Sequence, residues 1–98
     1  MLYMNDFDIM QASQRYRNHP VMSKAVAFLS AYVDQVNANS DGWAYWRRPV
    51  DAAARLMEFI QNPGTEPTMA QFRKTLTPIK AFYTRHGYAA GMQMPVVY

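Results

Sequence analysis

The sequence predicts an all-α protein: a small bundle of about four helices over residues 1–87, followed by an extended, irregular C-terminal tail over 88–98. Three observations carry that expectation. Apolar residues recur at i, i+3 and i+4 through 21–36, the pattern of a helix with one buried face. Each interruption of such a pattern is written in turn chemistry: His19-Pro20, "NANSDG" at 37–42, "NPGTEP" at 62–67 and His86-Gly87. Finally, half of the 98 residues are hydrophobic and only 17% charged, enough to fill one core without the cysteines the chain lacks.

The first helix is expected to be capped by Asn5 or Asp6 and to run to about Asn18, with Asp6 and Asp8 suiting its positive end. Its apolar positions, Phe7, Ile9, Met10 and Tyr16, make a poor stripe, so it should be only loosely tied to the core. Pro20 suits the first turn of the second helix. There Val21 or Met22, Ala25, Val26, Leu29, Tyr32, Val33 and Val36 form the best stripe in the chain. Pro49 opens a third helix to about Gln61, burying Val50, Ala53, Ala54, Met57 and Ile60. Thr68 and Gln71 have capping-box spacing and start a fourth helix. Its stripe is Met69, Phe72, Leu76, Ile79 and Tyr83, with Pro78 expected to cause a kink or short break near Thr77 and helix resuming to Arg85. Met10, Met22, Met57 and Met69 fall on stripes and are expected in the core. Met92 and Met94, in the tail, suit an adaptable contact surface or pack on the bundle. "PVVY" could join a neighbouring chain as a strand or tuck across the helices.

The same residues exclude much chemistry. Without cysteine there are no disulfides, thiolate metal sites or cysteine nucleophiles. Serine stands in no nucleophile turn, no phosphate-binding glycine loop is present, and Asp6 and Asp8 lack the rest of a cation loop. His19 and His86 sit at helix boundaries, where capping is the ordinary role. No enzyme, cofactor or metal is expected. The N-terminus lacks the basic and apolar regions of a signal peptide, and Met4, just before a cap, could be the true start. With no stretch near the roughly 20 apolar residues of a membrane span, the expected setting is the cytoplasm, away from membranes.

Two regions could meet a partner. Trp43, Tyr45, Trp46, Arg47 and Arg48 surround one turn and are the residue types that dominate interface hot spots. They could equally lid the core; the preferred expectation is one tryptophan buried and one exposed beside the arginines. The second region follows from charge. Residues 1–67 carry six basic against seven acidic side chains, whereas 68–98 carry Arg73, Lys74, Lys80 and Arg85 with no acid. Arg73, Lys80 and Thr84 share one side of the fourth helix, flanked by Lys74 and Arg85. Such a face could contact phosphates of a nucleic acid or an acidic protein surface, or be a plain solvated face. The Glu66-Pro67 bond in an exposed loop could be read by a prolyl isomerase.

The segment "DGWAYWRRPVDAAARLMEFI" (41–60) resembles small phage-type reading frames. Size, helical character and the "TEPT" loop around Pro67 are similar to the anti-RecBCD accessory protein family of lambdoid phages. That resemblance implies a non-enzymatic inhibitor in the host cytoplasm, bound to the RecBCD nuclease-helicase through RecC and linked to a host prolyl isomerase at Pro67. The alternative from the residues is a small nucleic-acid-binding protein using the basic C-terminal helix.

Overall fold

The computed structural model describes residues 4–38, 47–87 and 91–97. Among the described residues the protein is all-α. In chain order the helices are α1 (Asp6–Arg15), α2 (Met22–Ala38), α3 (Arg47–Ala52), α4 (Ala54–Gln61), α5 (Met69–Thr75) and α6 (Thr77–Phe82), closed by a π-helical turn, Tyr83–Gly87. They make four arms: α1, α2, α3 with α4, and α5 with α6. Residues 91–97 lie against them as an irregular tail.

The arms begin where the side chains satisfy free backbone donors. The Asp8 N–H donates to Asn5 Oδ1 (2.9 Å) and the Asn5 N–H to Asp8 Oδ2 (3.1 Å), a capping box that assigns the α1 cap to Asn5. Gln71 N–H and Thr68 N–H make the reciprocal pair at α5, at 3.2 and 2.9 Å. α2 opens on a histidine: the N–H groups of Val21 and Met22 both donate to His19 Nδ1 at 3.1 Å. His19 O accepts from Ser23 N–H (3.1 Å), which makes Pro20 the first residue inside the hydrogen-bonded turn, where its missing N–H costs nothing. α1 ends at Arg15 rather than Asn18, with turn geometry already at Tyr16.

α2 runs through the middle. Met22, Ala25, Val26, Phe28, Leu29 and Tyr32 are buried, a wider arc than the predicted stripe because other arms cover more than one side of it. Phe28 meets Phe72 edge-on at 6.2 Å, and Tyr32 meets Phe82 at 6.0 Å and Tyr83 at 5.9 Å. Such edge-to-face pairs add to the burial itself. α1 is tied in more firmly than its pattern implies. Met4, Ile9 and Ala12 are buried, and the Tyr16 hydroxyl donates to Ile60 O at 3.3 Å.

Both C-terminal arms are broken, and both breaks are repaired by a hydroxyl. In the third arm, expected to be continuous, Ala53 N–H donates to Val50 O (3.1 Å) instead of to Pro49 O. The tightened turn ends α3 and frees the Pro49 carbonyl in the core, where the Tyr32 hydroxyl donates to it at 2.7 Å. The break also shifts the helical phase. Ala54, expected inside, is exposed, and Leu56, off the predicted stripe, is fully buried. In the fourth arm Leu76 N–H turns to Arg73 O (3.1 Å), freeing Phe72 O, which accepts from the Thr75 hydroxyl at 2.6 Å. The helix resumes at Thr77 with Pro78 in its first turn, so the interruption is one tight turn at Leu76. It brings Phe82 into the core beside the expected Phe72, Leu76, Ile79 and Tyr83.

The tail closes the end of the bundle near Tyr83. Gln35 accepts from the Tyr83 hydroxyl (3.0 Å) and donates through Nε2 to Gln93 O (2.6 Å). Met92 is buried, and Met94 and Val97 pack partly on the core, so these methionines serve the bundle rather than an adaptable outer surface.

Burial, and secondarily the Tyr83 hydroxyl, raises the Tyr32 pKa well above its usual value. In the unfolded chain Tyr32 ionises near pH 10. The stability that neutral Tyr32 contributes is therefore complete below that pH and falls as pH rises past it. Tyr32→Phe keeps the ring but strands the Pro49 carbonyl, and should cost about 1–3 kcal/mol at neutral pH by chemical denaturation. Above about pH 10 the gap between wild type and variant should narrow.

Candidate partner-binding surfaces

The basic face is laid out by the fourth arm. Phe72, Thr75, Leu76, Ile79, Phe82 and Tyr83 are buried, so the opposite side of the arm faces solvent. Arg73, Lys74, Lys80, Thr84 and Arg85 are all exposed, as are Thr77 and Ala81. Arg73 and Lys80 are two turns apart, roughly 10 Å along the axis at 1.5 Å per residue. The Thr84 hydroxyl donates to Lys80 O (3.0 Å), holding the last turn together. Arg73 and Lys74 stand in the last turn of α5, and Arg85 in the closing π turn, where the helix dipole favours cations. Each of these basic residues is exposed along the one arm, with Arg85 also lining a hollow against α3.

The loop that leads into this arm supplies the second element. Gly64 has φ +81°, a conformation other residues rarely adopt, which turns the chain between α4 and α5. Gly64, Thr65 and Glu66 are exposed and Pro67 is half-buried, with Thr68 just beyond it capping α5. The partner candidate Pro67 and the basic face thus belong to one continuous stretch, 62–85.

Of the aromatic turn, Trp43, Tyr45 and Trp46 lie outside the described residues. Arg47 and Arg48 enter as backbone in the first turn of α3, their side chains also outside the description. What surrounds them is described: Pro49, next in the chain, is fully buried, its carbonyl held by Tyr32.

The two histidines have structural partners. His19 Nδ1 takes two N–H groups, which fixes it as an acceptor and leaves any proton on Nε2, and its ring meets Tyr16 edge-on at 6.4 Å. His86 lies 5.7 Å from the Phe82 ring, above an open hollow of about 600 Å³ between α3 and α6 that Asp51 and Arg85 also line. Among the described residues no three His, Asp or Glu side chains come together as a metal-binding group. No helix there is long and apolar enough to cross a membrane.

Sequence reasoning missed one feature. Met10, expected in the core, is 49% exposed, and Phe7, three residues earlier, 58%. Both are left exposed because Ile9 and Ala12 occupy the inward face of α1. The irregular stripe of α1 was the available signal.

His19→Ala removes the acceptor for two N–H groups and should destabilise the protein by roughly 1 kcal/mol, a typical loss for a helix cap. His19→Asn, which restores a side-chain oxygen, should recover most of it; thermal unfolding of the three proteins checks this. Compared with protein-family models, curated proteins and solved structures, the chain matches none of them.

Proposed function

We propose that this protein is a non-enzymatic binding modulator that docks through the basic outer face of α5 and α6, with the 62–67 loop at its edge, onto an acidic surface of a larger protein. One observation carries the reading. Arg73, Lys74, Lys80 and Arg85 are all exposed on a single arm whose other face is buried, in a stretch, 68–98, that contains no acid. Neighbouring cations without intervening acids favour fast, oriented encounter with a negative surface. The half-buried Pro67 offers a rigid, partly apolar contact next to them. Within this class the resemblance to the anti-RecBCD family nominates RecBCD, through RecC, as the host machine, in a cytoplasmic setting. It also nominates a prolyl isomerase at Pro67.

The same face supports a second reading, nucleic-acid binding, because Thr77 and Thr84 alternate with Arg73 and Lys80 along one line and hydroxyls also contact phosphates. The two readings separate experimentally. Purified protein should bind RecBCD and slow its unwinding of duplex DNA. Arg73→Glu with Lys80→Glu should weaken that binding at least about tenfold, with helical content by circular dichroism unchanged. Absence of binding to RecBCD removes that partner. Retention on duplex DNA, falling with salt at nearly one ion per phosphate contact and lost in the double variant, would favour the second reading.

A further inference from the structure

A groove of about 880 Å³ runs between α1 and α2, away from the basic face. Its α2 side is lined by the small residues Ser23, Ala27, Ser30 and Ala31, which leave room for side chains from outside, with Val26, Val33 and Asp34 beside them. Its α1 side is lined by Asp6, Met10, Ser13 and Arg17. Asp6, Met10 and Ser13, spaced by four and three residues, form a seam along α1, and Arg17, in the turn just past the helix end, extends it along the groove. Met10 and the adjacent Phe7 are, with Val96, the large hydrophobic side chains exposed among the described residues.

The order of residues in this seam is self-complementary. Set against a second copy running the opposite way, Asp6 meets Arg17, Met10 meets Ser13, Ser13 meets Met10 and Arg17 meets Asp6. Acid faces base at both ends, and a large side chain faces a small one at both central positions. A parallel pairing would instead set Asp6 on Asp6, Arg17 on Arg17 and Met10 on Met10. A partner helix of a single charge sign would complement only one end. An isologous twofold contact needs a surface that matches itself in this way.

We propose that α1 is a self-association surface: two copies pair their α1 helices antiparallel, each placing Met10 over Ser13 of the other and toward the small-residue floor of the other's groove. The axis passes between positions 11 and 12 of the two helices. The pairing covers Phe7 and Met10 and leaves the α5–α6 face free, so a dimer would present that basic face twice.

The full chain tests this by sedimentation equilibrium up to about 300 μM, where a Kd in the micromolar range gives mostly dimer. Wild type should be dimeric at the top of that range. Asp6→Lys or Arg17→Glu alone should weaken association at least about tenfold, and the two together in one chain should restore it. A second measurement does not depend on helix-end charges. The chain has no cysteine, so Met10→Cys and Ser13→Cys proteins can be oxidised separately and as an equal mixture. The mixture should give predominantly the disulfide between position 10 of one chain and position 13 of another. A wild type that stays monomeric throughout overturns the proposal. So does a dimer that the paired charge reversal fails to restore and whose cross-links show no preference for the mixed pair.

Discussion

The hydrogen bond from the Tyr32 hydroxyl to the Pro49 carbonyl is the contact on which the arrangement of the bundle depends. A carbonyl turned out of its helix inside a core costs a few kcal/mol unless something donates to it. Here the donor belongs to the central helix, and the acceptor to the short segment that must fold back onto it. One bond therefore satisfies the break after α3 and fixes α3 against α2. The Tyr32 ring, set edge-on to Phe82 and Tyr83, ties the same point to the last arm. Thr75 performs the local version of this repair for the Phe72 carbonyl. Apart from the buried tyrosines it is the one buried polar side chain among the described residues, and its hydroxyl is spent within its own turn.

Much of this architecture was legible because helices announce themselves locally. The α2 stripe, the Thr68–Gln71 box and the Pro20 start are set by residues within one or two turns of each other, and local sequence is enough to read them. The breaks are different in kind. Nothing in "PVDAAARL" marks Ala53 as the end of a helix, since three alanines favour continuing it. The turn tightens there because Tyr32, 17 residues before Pro49, can donate its hydroxyl proton to the freed carbonyl. Tertiary contact overrides propensity at that point. Leu56 and Ala54 exchange places as a result, and no periodicity count on the isolated segment reveals it. Pro78, by contrast, announced an interruption nearby, because proline needs the first turn of a helix, but left open whether it would be a kink or a break. The structure makes it a break at Leu76.

The surfaces divide the same way. The four cations of the last arm could be grouped from the sequence, because their inward neighbours form a clear stripe and charge is a property of residue type. The exposed pair on α1 could not. Phe7 and Met10 look like core residues until Ile9 and Ala12 are seen to take the inward face, and which side of a weakly patterned helix turns inward is decided by its neighbours. His19 could be expected to cap, but its use of one ring nitrogen for two amides depends on the turn at Pro20. The tail was ambiguous because its order comes from a distant glutamine. Gln35 bonds to Tyr83, 48 residues on, and to Gln93, 58 residues on.

Two repaired breaks also shape how this sequence can drift. An ordinary buried leucine accepts several apolar replacements at modest cost, so the stripes of α2 and α5 can change substantially while the fold persists. Position 32 has no such freedom, because only a long aromatic side chain with a terminal hydroxyl both fills the space and reaches Pro49. Position 75 admits serine or threonine but not valine, despite valine's matching shape. A distant relative of this protein would be recognised less by its hydrophobic pattern than by two hydroxyl-bearing residues held in step with a proline and a tight turn.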